Sequence, residues 1–530
     1  MSEVDTMIAD LPSKGPDKSS GLGATISRNI VASLVRVAAV ALVALVLPAY
    51  LTHHLPVTTY AAWVLILQLG AYVSYLDLGI QTGVSKFVAE YDARGDNVGA
   101  GRYASAGLIL MILAGILGLL LTFALAWQVP RLFSTMPANL YHDVRISVML
   151  VGSSLSFGLF CGVYAAIFLG LQRYWIPMTI SIVNRGCYAA IVLIVVALHG
   201  SLTDMGIAVA LVNVVTGLLQ VLAWRKRAFR IRLSVRSVNL GVLKTMGRYC
   251  SLQSIWIFGM LCVSGLDVTI VGHYDYVQTA YYSIATLPTN FVLLIMTSML
   301  NPFMPASSAM SARSSALEMG DFLAKITRYT TMVLLLTGLP LIVCGFLLLR
   351  LWLGPFYAQH TLLYLRILVL ANVIRNLCAP YATMVVATGR QGPATASAVS
   401  EAVVNLSSSI YLASRYGAIG VAVGTVLGSL VSVSLHFIIS MRFTRSTLAI
   451  PRSTLFLKGL LQPALIGIPS LVLLPIWWTP YRTTFGLRLV ILWSFSTMVI
   501  AWFTGLSSKE RNDLRHLFRS HLAGISKVLP

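Results

Sequence analysis

The sequence predicts an all-α polytopic membrane protein of about fourteen transmembrane helices: two pseudo-symmetric six-helix lobes in parallel repeat, plus two C-terminal helices. Three observations carry this. Of 530 residues, 57% are hydrophobic and only 10% charged, with mean hydropathy +0.82. A soluble domain carries about 25% charged residues, so this chain lacks the polar groups to clothe itself in water. The apolar residues also come in runs of about 20, the length that crosses a hydrocarbon layer of roughly 30 Å. Finally, the two halves of the chain repeat each other.

Apolar runs and their breakers place the spans near residues 29–51, 57–80, 102–127, 146–170, 176–199, 204–224, 249–272, 278–304, 329–351, 361–389, 393–414, 417–441, 455–478 and 484–505. With the amino terminus on the cytoplasmic side, most Lys and Arg fall on cytoplasmic segments, so both termini are expected there. The resulting scheme is a flexible tail (1–28), an N-lobe (29–224), a basic linker (225–248), a C-lobe (249–441), spans thirteen and fourteen (442–505) and an amphipathic tail (506–530). Residues 1–28 show no cleavable signal pattern.

The basic excess, 38 Lys and Arg against 17 Asp and Glu, would suggest nucleic acid in a soluble protein. Here the cations sit between spans, and no nucleic-acid partner is expected. The densest cluster is Arg225, Lys226, Arg227, Arg230, Arg232, Arg236, Lys244 and Arg248. It reads as an anchor on anionic lipid headgroups, with a dedicated ligand site as the other reading. In the tail, Leu514, Leu517, Phe518 and Leu522 share a face among Lys509, Arg511, Arg515 and Arg519, as an interfacial helix would.

Catalytic chemistry finds no foothold. The six cysteines lie in or beside apolar runs without CxxC spacing, and His53 and His54 alone make a poor metal site. There is no HExxH, Walker loop or GxSxG. An enzyme is not expected, nor is any cofactor. A membrane glycosyltransferase or polymerase would need a larger extramembrane loop than this chain offers.

The repeat shows as four ordered matches. His53 and Thr59 align with His273 and Thr279; "GRYASAGL" from Gly101 with "TRYTTMVL" from Thr327; "FCGVYAAIFLGLQR" from Phe160 with "LCAPYATMVVATGR" from Leu377; and "MGIAVAL" from Met205 with "IGVAVGT" from Ile419. A unit of six spans enters the membrane from the same side each time, giving parallel repeats, which is a transporter architecture.

One stretch carries a family label. "LPAYLTHHLPVTTYAAWVLILQLGAYVSYLDLGIQTGVSKFVAEYDARGD", from Leu47 to Asp96, resembles the amino-terminal signature of bacterial polysaccharide (Wzx-like) flippases, members of the multidrug/oligosaccharidyl-lipid/polysaccharide exporter superfamily. That resemblance implies two six-helix lobes in a V, with two extra helices. It implies transport of undecaprenyl-diphosphate-linked oligosaccharide from the cytoplasmic to the periplasmic leaflet of the bacterial inner membrane, in O-antigen or exopolysaccharide biosynthesis. Polymerase and glycosyltransferases of that pathway would be partners. A multidrug or cation antiporter on the same fold is the alternative, although cationic drugs call for an acidic rather than a basic cavity.

Charges inside apolar runs are the site candidates, because a charge in hydrocarbon normally faces the bundle interior. They are Arg36, Asp77, Arg185, Asp267, Arg375 and Glu401. In one reading Arg36, Arg185 and Arg375 line a cationic cavity for a diphosphate, with guanidinium donors on phosphate oxygens. In the other they pair with Glu401, Asp267 or backbone carbonyls. Asp267 and Glu401 are the proton or cation sites if transport is ion-driven. The repeat sets Arg185 opposite Glu401, as it sets Pro177 opposite Pro393.

Asp77, followed by the Gly79 break, falls at the water boundary and has no counterpart in the second half, which favours a structural or gating role. Backbone donors or Lys86 are its expected partners. Beyond it, Val84, Phe87, Val88 and Tyr91 mark one face of a short interfacial helix, with Glu90 and Arg94 paired on the other. Gly420, Gly424 and Gly428 predict close helix packing. Pro48, Pro288, Pro340 and Pro380 predict kinks, and Trp477 and Trp478 an interfacial anchor.

Overall fold

The structure, a computed structural model, describes residues 40–228, 230–311, 313–388, 392–472, 487–505 and 510–512. Arg36, Trp477, Trp478 and the amphipathic face at 514–522 lie outside them. Among the described residues there is no strand. Eleven helices, from Val57–Ala93 to Arg452–Val472, are long and apolar enough to cross a membrane. Two shorter apolar helices, Val40–His54 and Val490–Gly505, stand at the first and last positions. Gly392–Tyr416 holds the place of span eleven. The all-α polytopic class holds, and these helices are compatible with the fourteen expected spans.

The packing is that of a membrane protein. In span three (Asn97–Leu132) the buried face is small: Ala104, Ser105, Gly107, Ala114, Gly115, Gly118 and Ala126. The large residues Leu113, Leu117, Leu120, Phe123 and Trp127 point outward, Trp127 with 69% of its surface open. Without a hydrophobic gain from hiding leucine in lipid, helices associate through small residues that let backbones approach, and bulky ones face the acyl chains.

The described residues form two compact units. The first takes the segments up to His54, Leu69–Val129 and His142–Ser254. The second takes Leu55–Gln68, Pro130–Tyr141 and the chain from Ile255 onward. Span two therefore changes unit between Gln68 and Leu69, and span seven between Ser254 and Ile255.

In the first unit, the helix after Gly79 (Ile80–Ala93) departs from the expected peripheral position. Val84, Phe87 and Val88 are buried in the unit's core with Met111, Phe168 and Met246. Gly107 makes this possible, because a Cβ there would collide with Val84. The basic segment after span six is likewise not a loose tether. Ala228 and Ile231 are buried in the same core. Arg230 pairs with Asp92 at 2.7 Å, and the Ser234 N–H donates to Ser105 Oγ at 2.9 Å.

In the second unit, the Gly420–Gly424–Gly428 stripe lies flush against span eleven. A Cβ at Gly428 would stand 2.7 Å from Asn405 Cβ, and those at Gly420 and Gly424 would strike the backbones of Leu412 and Ser409. Span ten is broken at Pro380 into Pro355–Asn376 and Ala379–Ala387, because proline lacks the N–H that would continue the helix. Span nine begins earlier than its apolar run, at a capping box between Ser315 and Glu318, and ends at Val343. The rest of that run forms a separate helix, Gly345–Leu353. Spans thirteen and fourteen lie on span nine: Thr331 donates to the Gly459 carbonyl at 3.1 Å, and Trp493 packs with Val343 and Leu339.

Candidate functional site

The second unit buries a polar network between spans seven, eight, ten, eleven and twelve. Arg375 Nε donates to Glu401 Oε1 at 2.5 Å, with side chains 17% and 8% exposed. Asp267 is 6% exposed and accepts from Tyr282 at 3.3 Å and Thr425 at 3.4 Å, both on Oδ2. Among the described residues, Asp267 Oδ1 and Arg375 Nη2 are buried without hydrogen-bond partners. One cation and two carboxylates leave this group one negative charge in excess when all are ionised. Burying such an excess is costly.

Span seven supplies the geometry. Between Leu240–Met260 and Asp267–Tyr274 it runs through a π-helical turn, Leu261–Gly265. Such turns carry an extra residue and turn carbonyls away from the regular ladder. Two of these carbonyls are met by side-chain amides: Asn405 Nδ2 on Val263 O at 2.8 Å, and Gln68 Nε2 on Gly265 O at 2.7 Å. Ser409 donates to Asn405 Oδ1 at 3.1 Å. Further along, the Tyr276 hydroxyl donates to Thr58 O at 2.6 Å, and burial pushes its pKa up. His273 meets the Leu132 carbonyl. Segments 55–68 and 130–141 are thereby tied to spans seven and eight within this unit.

The predicted site residues do not all converge. Asp267, Arg375 and Glu401 come together in one buried network, and Glu401 takes Arg375 as its partner. Arg185 stands in the first unit on the exposed side of Trp175–Ala197, a helix that buries only Ile176, Val192 and Val196. No ion-pair partner for it occurs among the described residues. Arg36 lies outside the described residues. Asp77 accepts the Gln81 backbone N–H at 3.1 Å, while Lys86 lies over the rings of Phe87 and Tyr249. Gly79 has φ +79°, and a Cβ there would stand 2.6 Å from Gln253 Cβ.

Asn405, Tyr282, Thr425 and Gln68 were not singled out by the charge criterion. A signal existed for one of them. Glu401, Asn405 and Ser409 recur every fourth residue on the face of span eleven that meets the glycine stripe of span twelve. Among the described residues, no group of His, Cys, Asp and Glu could hold a metal ion as a cluster of three.

The described residues form an all-helical membrane architecture with this polar network buried in its second unit. No protein-family model matches the chain, and no curated protein matches it. Solved structures do. A multidrug resistance MATE family transporter of the MOP superfamily, in an inward-facing conformation, superposes with TM-score 0.64 at 16% identity, over 77% of this chain and 99% of its own. The lipid II flippase MurJ, in an inward closed conformation, superposes with TM-score 0.68 at 12% identity, over 90% of this chain and 98% of its own. A MOP superfamily transporter from Pyrococcus furiosus, described as having a binding pocket of reverse polarity, gives TM-score 0.56 at 18% identity, over 81% and 96%. The chain is an integral membrane protein with the fold of MOP superfamily transporters.

Proposed function

We propose that the protein is a flippase that moves an undecaprenyl-diphosphate-linked oligosaccharide from the cytoplasmic to the outer leaflet of a bacterial inner membrane, for polysaccharide biosynthesis. The observation that carries this reading is the extent of the likeness. The MurJ structure covers 90% of this chain, whereas the multidrug MATE structure is used up after 77% of it. The Leu-Asp-Leu-Gly segment at Leu76–Gly79 and the intramembrane arginines point the same way.

In this reading Arg36 and Arg185 offer guanidinium donors to the diphosphate, which matches two phosphate oxygens at a time. Arg375 serves Glu401, so its charge is committed to the second unit's network. Asp267 and Glu401 form the ion-coupling group, whose surplus negative charge a proton or cation neutralises. Asp77 and Gly79 hold the bend of span two. The basic face of segment 225–248 rests on anionic headgroups, and both termini face the cytoplasm.

Depleting the protein tests this. Lipid-linked oligosaccharide should accumulate on the cytoplasmic leaflet; its absence in a strain lacking any second flippase would refute the reading. A drug or cation antiporter is the second reading, favoured by the buried acids Asp267 and Glu401. It predicts raised drug susceptibility on depletion, with no lipid-linked intermediate.

A further inference from the structure

Away from that network, the start of span nine carries a second charged cluster. Lys325, Arg328 and Tyr329 follow at i, i+3 and i+4, one side of the helix. Their donors converge on Glu510, from the far end of the chain. Arg328 Nη2 reaches both carboxylate oxygens, at 2.8 Å and 2.6 Å. The Tyr329 hydroxyl donates to Oε1, and Lys325 Nζ stands 3.6 Å away.

The cluster holds more than a carboxylate can use. Arg328 Nε is buried without an acceptor among the described residues, so one nitrogen is shared by two oxygens while another goes unmet. Lys325 and Arg328 bring two positive charges against one negative from Glu510. Free phosphate or a phosphomonoester presents more acceptor oxygens and up to two charges, and would engage Nε as well. Arg328 directly precedes the apolar run of span nine. Lys325 keeps 53% of its side chain open, while Arg328 and Glu510 keep 16% and 18%.

We propose that Lys325, Arg328 and Tyr329 form a receptor for a phosphate group, which Glu510 occupies as an internal carboxylate until phosphate displaces it. The shared chemistry is a terminal phosphate oxyanion, whether free or as the phosphomonoester headgroup of phosphatidic acid. Displacement would leave span fourteen itself in place. Gln462 still donates to the Thr504 carbonyl at 2.9 Å, and Gly505 still packs on Met332, one turn beyond Arg328.

The test uses the purified full-length protein and follows its melting temperature. Inorganic phosphate is titrated in detergent; in parallel, nanodiscs containing phosphatidic acid, a phosphomonoester, are compared with nanodiscs of phosphatidylcholine, a phosphodiester. Glu510→Gln should bind phosphate about tenfold more tightly than the wild type. Adding Arg328→Gln to it should abolish the response. A response to phosphatidic acid alone assigns the site to lipid, and a response to both ligands assigns it to the phosphate group itself. If Glu510→Gln responds no more than Glu510→Gln/Arg328→Gln, the receptor does not exist and the contact is only a clasp. Should Glu510→Gln fail to fold, Glu510→Asp keeps the charge on a shorter arm. It must then bind phosphate more tightly than the wild type, or the proposal fails.

Discussion

Arg375 and Glu401, from spans ten and eleven, share a hydrogen bond of 2.5 Å with both side chains withdrawn from water. A pair this deep gains little over an apolar pair, but it penalises the loss of one member, because the other charge is left buried and alone. Arg375→Met, which leaves the Glu401 and Asp267 carboxylates without their cation, should lower stability by about 3–5 kcal/mol, and Glu401→Gln, which leaves Arg375 with Asp267, should cost less. The double variant should recover most of that loss. Thermal unfolding of all three in detergent measures it, and strict additivity would rule out the pair as a unit.

Gly428 sets the distance between spans eleven and twelve at Asn405. Gly428→Leu should push Asn405 off Val263 O and destabilise the second unit by at least the about 1–3 kcal/mol expected for overpacking. Chemical denaturation in detergent measures the loss. Leu427, 40% exposed one position away, provides the control: Leu427→Ala should change stability by less than about 0.5 kcal/mol.

Gln68→Leu should leave the Gly265 carbonyl without its amide. Stranding a buried acceptor costs about 1–3 kcal/mol. This cost falls only on the state in which segment 55–68 lies against the π turn, so the protein should shift away from that state. A cysteine placed at Thr58, whose carbonyl Tyr276 holds in the same state, should then react faster with a water-soluble maleimide. An unchanged rate would show that Gln68 does not hold this arrangement.

Asp275, in the turn between spans seven and eight, is half-buried, and burial raises its carboxyl pKa against the opposing pull of the Gln278 N–H. A raised folded value means the folded state prefers the protonated acid. That contribution is fully present below the unfolded pKa and is lost as pH rises through the folded one. Asp275→Asn should therefore melt higher than the wild type near neutrality, and the gap should close in acid.

The positions of the spans were legible because lipid imposes a length and a composition on every one of them. The glycine stripe was legible for the same reason, since only close packing explains three glycines at four-residue spacing in so apolar a helix. Charges such as Asp267, Arg375 and Glu401 declared themselves by their cost in hydrocarbon. Which of them would pair did not, because pairing depends on how spans ten and eleven lie together. The π turn was invisible, as it has no composition of its own and rests on two distant amides, Gln68 and Asn405. The basic segment misled by its surface. Eight exposed cations drew the eye from Ala228 and Ile231, which bury it in the first unit's core.

Leu78 and Gly79 both adopt left-handed backbone, at φ 48° and φ 79°. Gly79→Ala should cost about 1–2 kcal/mol from that conformation alone, and more from the collision with Gln253.

The same two residues act as a phase lock. Span two enters the jog as one helix and leaves it as another, and the jog fixes the rotation of the second relative to the first. Each residue added to a helix turns the rest of that helix by about 100°. A single insertion between Asp77 and Ile80 would swing Val84 out of the notch at Gly107 and carry Phe87 and Val88 with it. This bend therefore tolerates change in side chain far better than change in length.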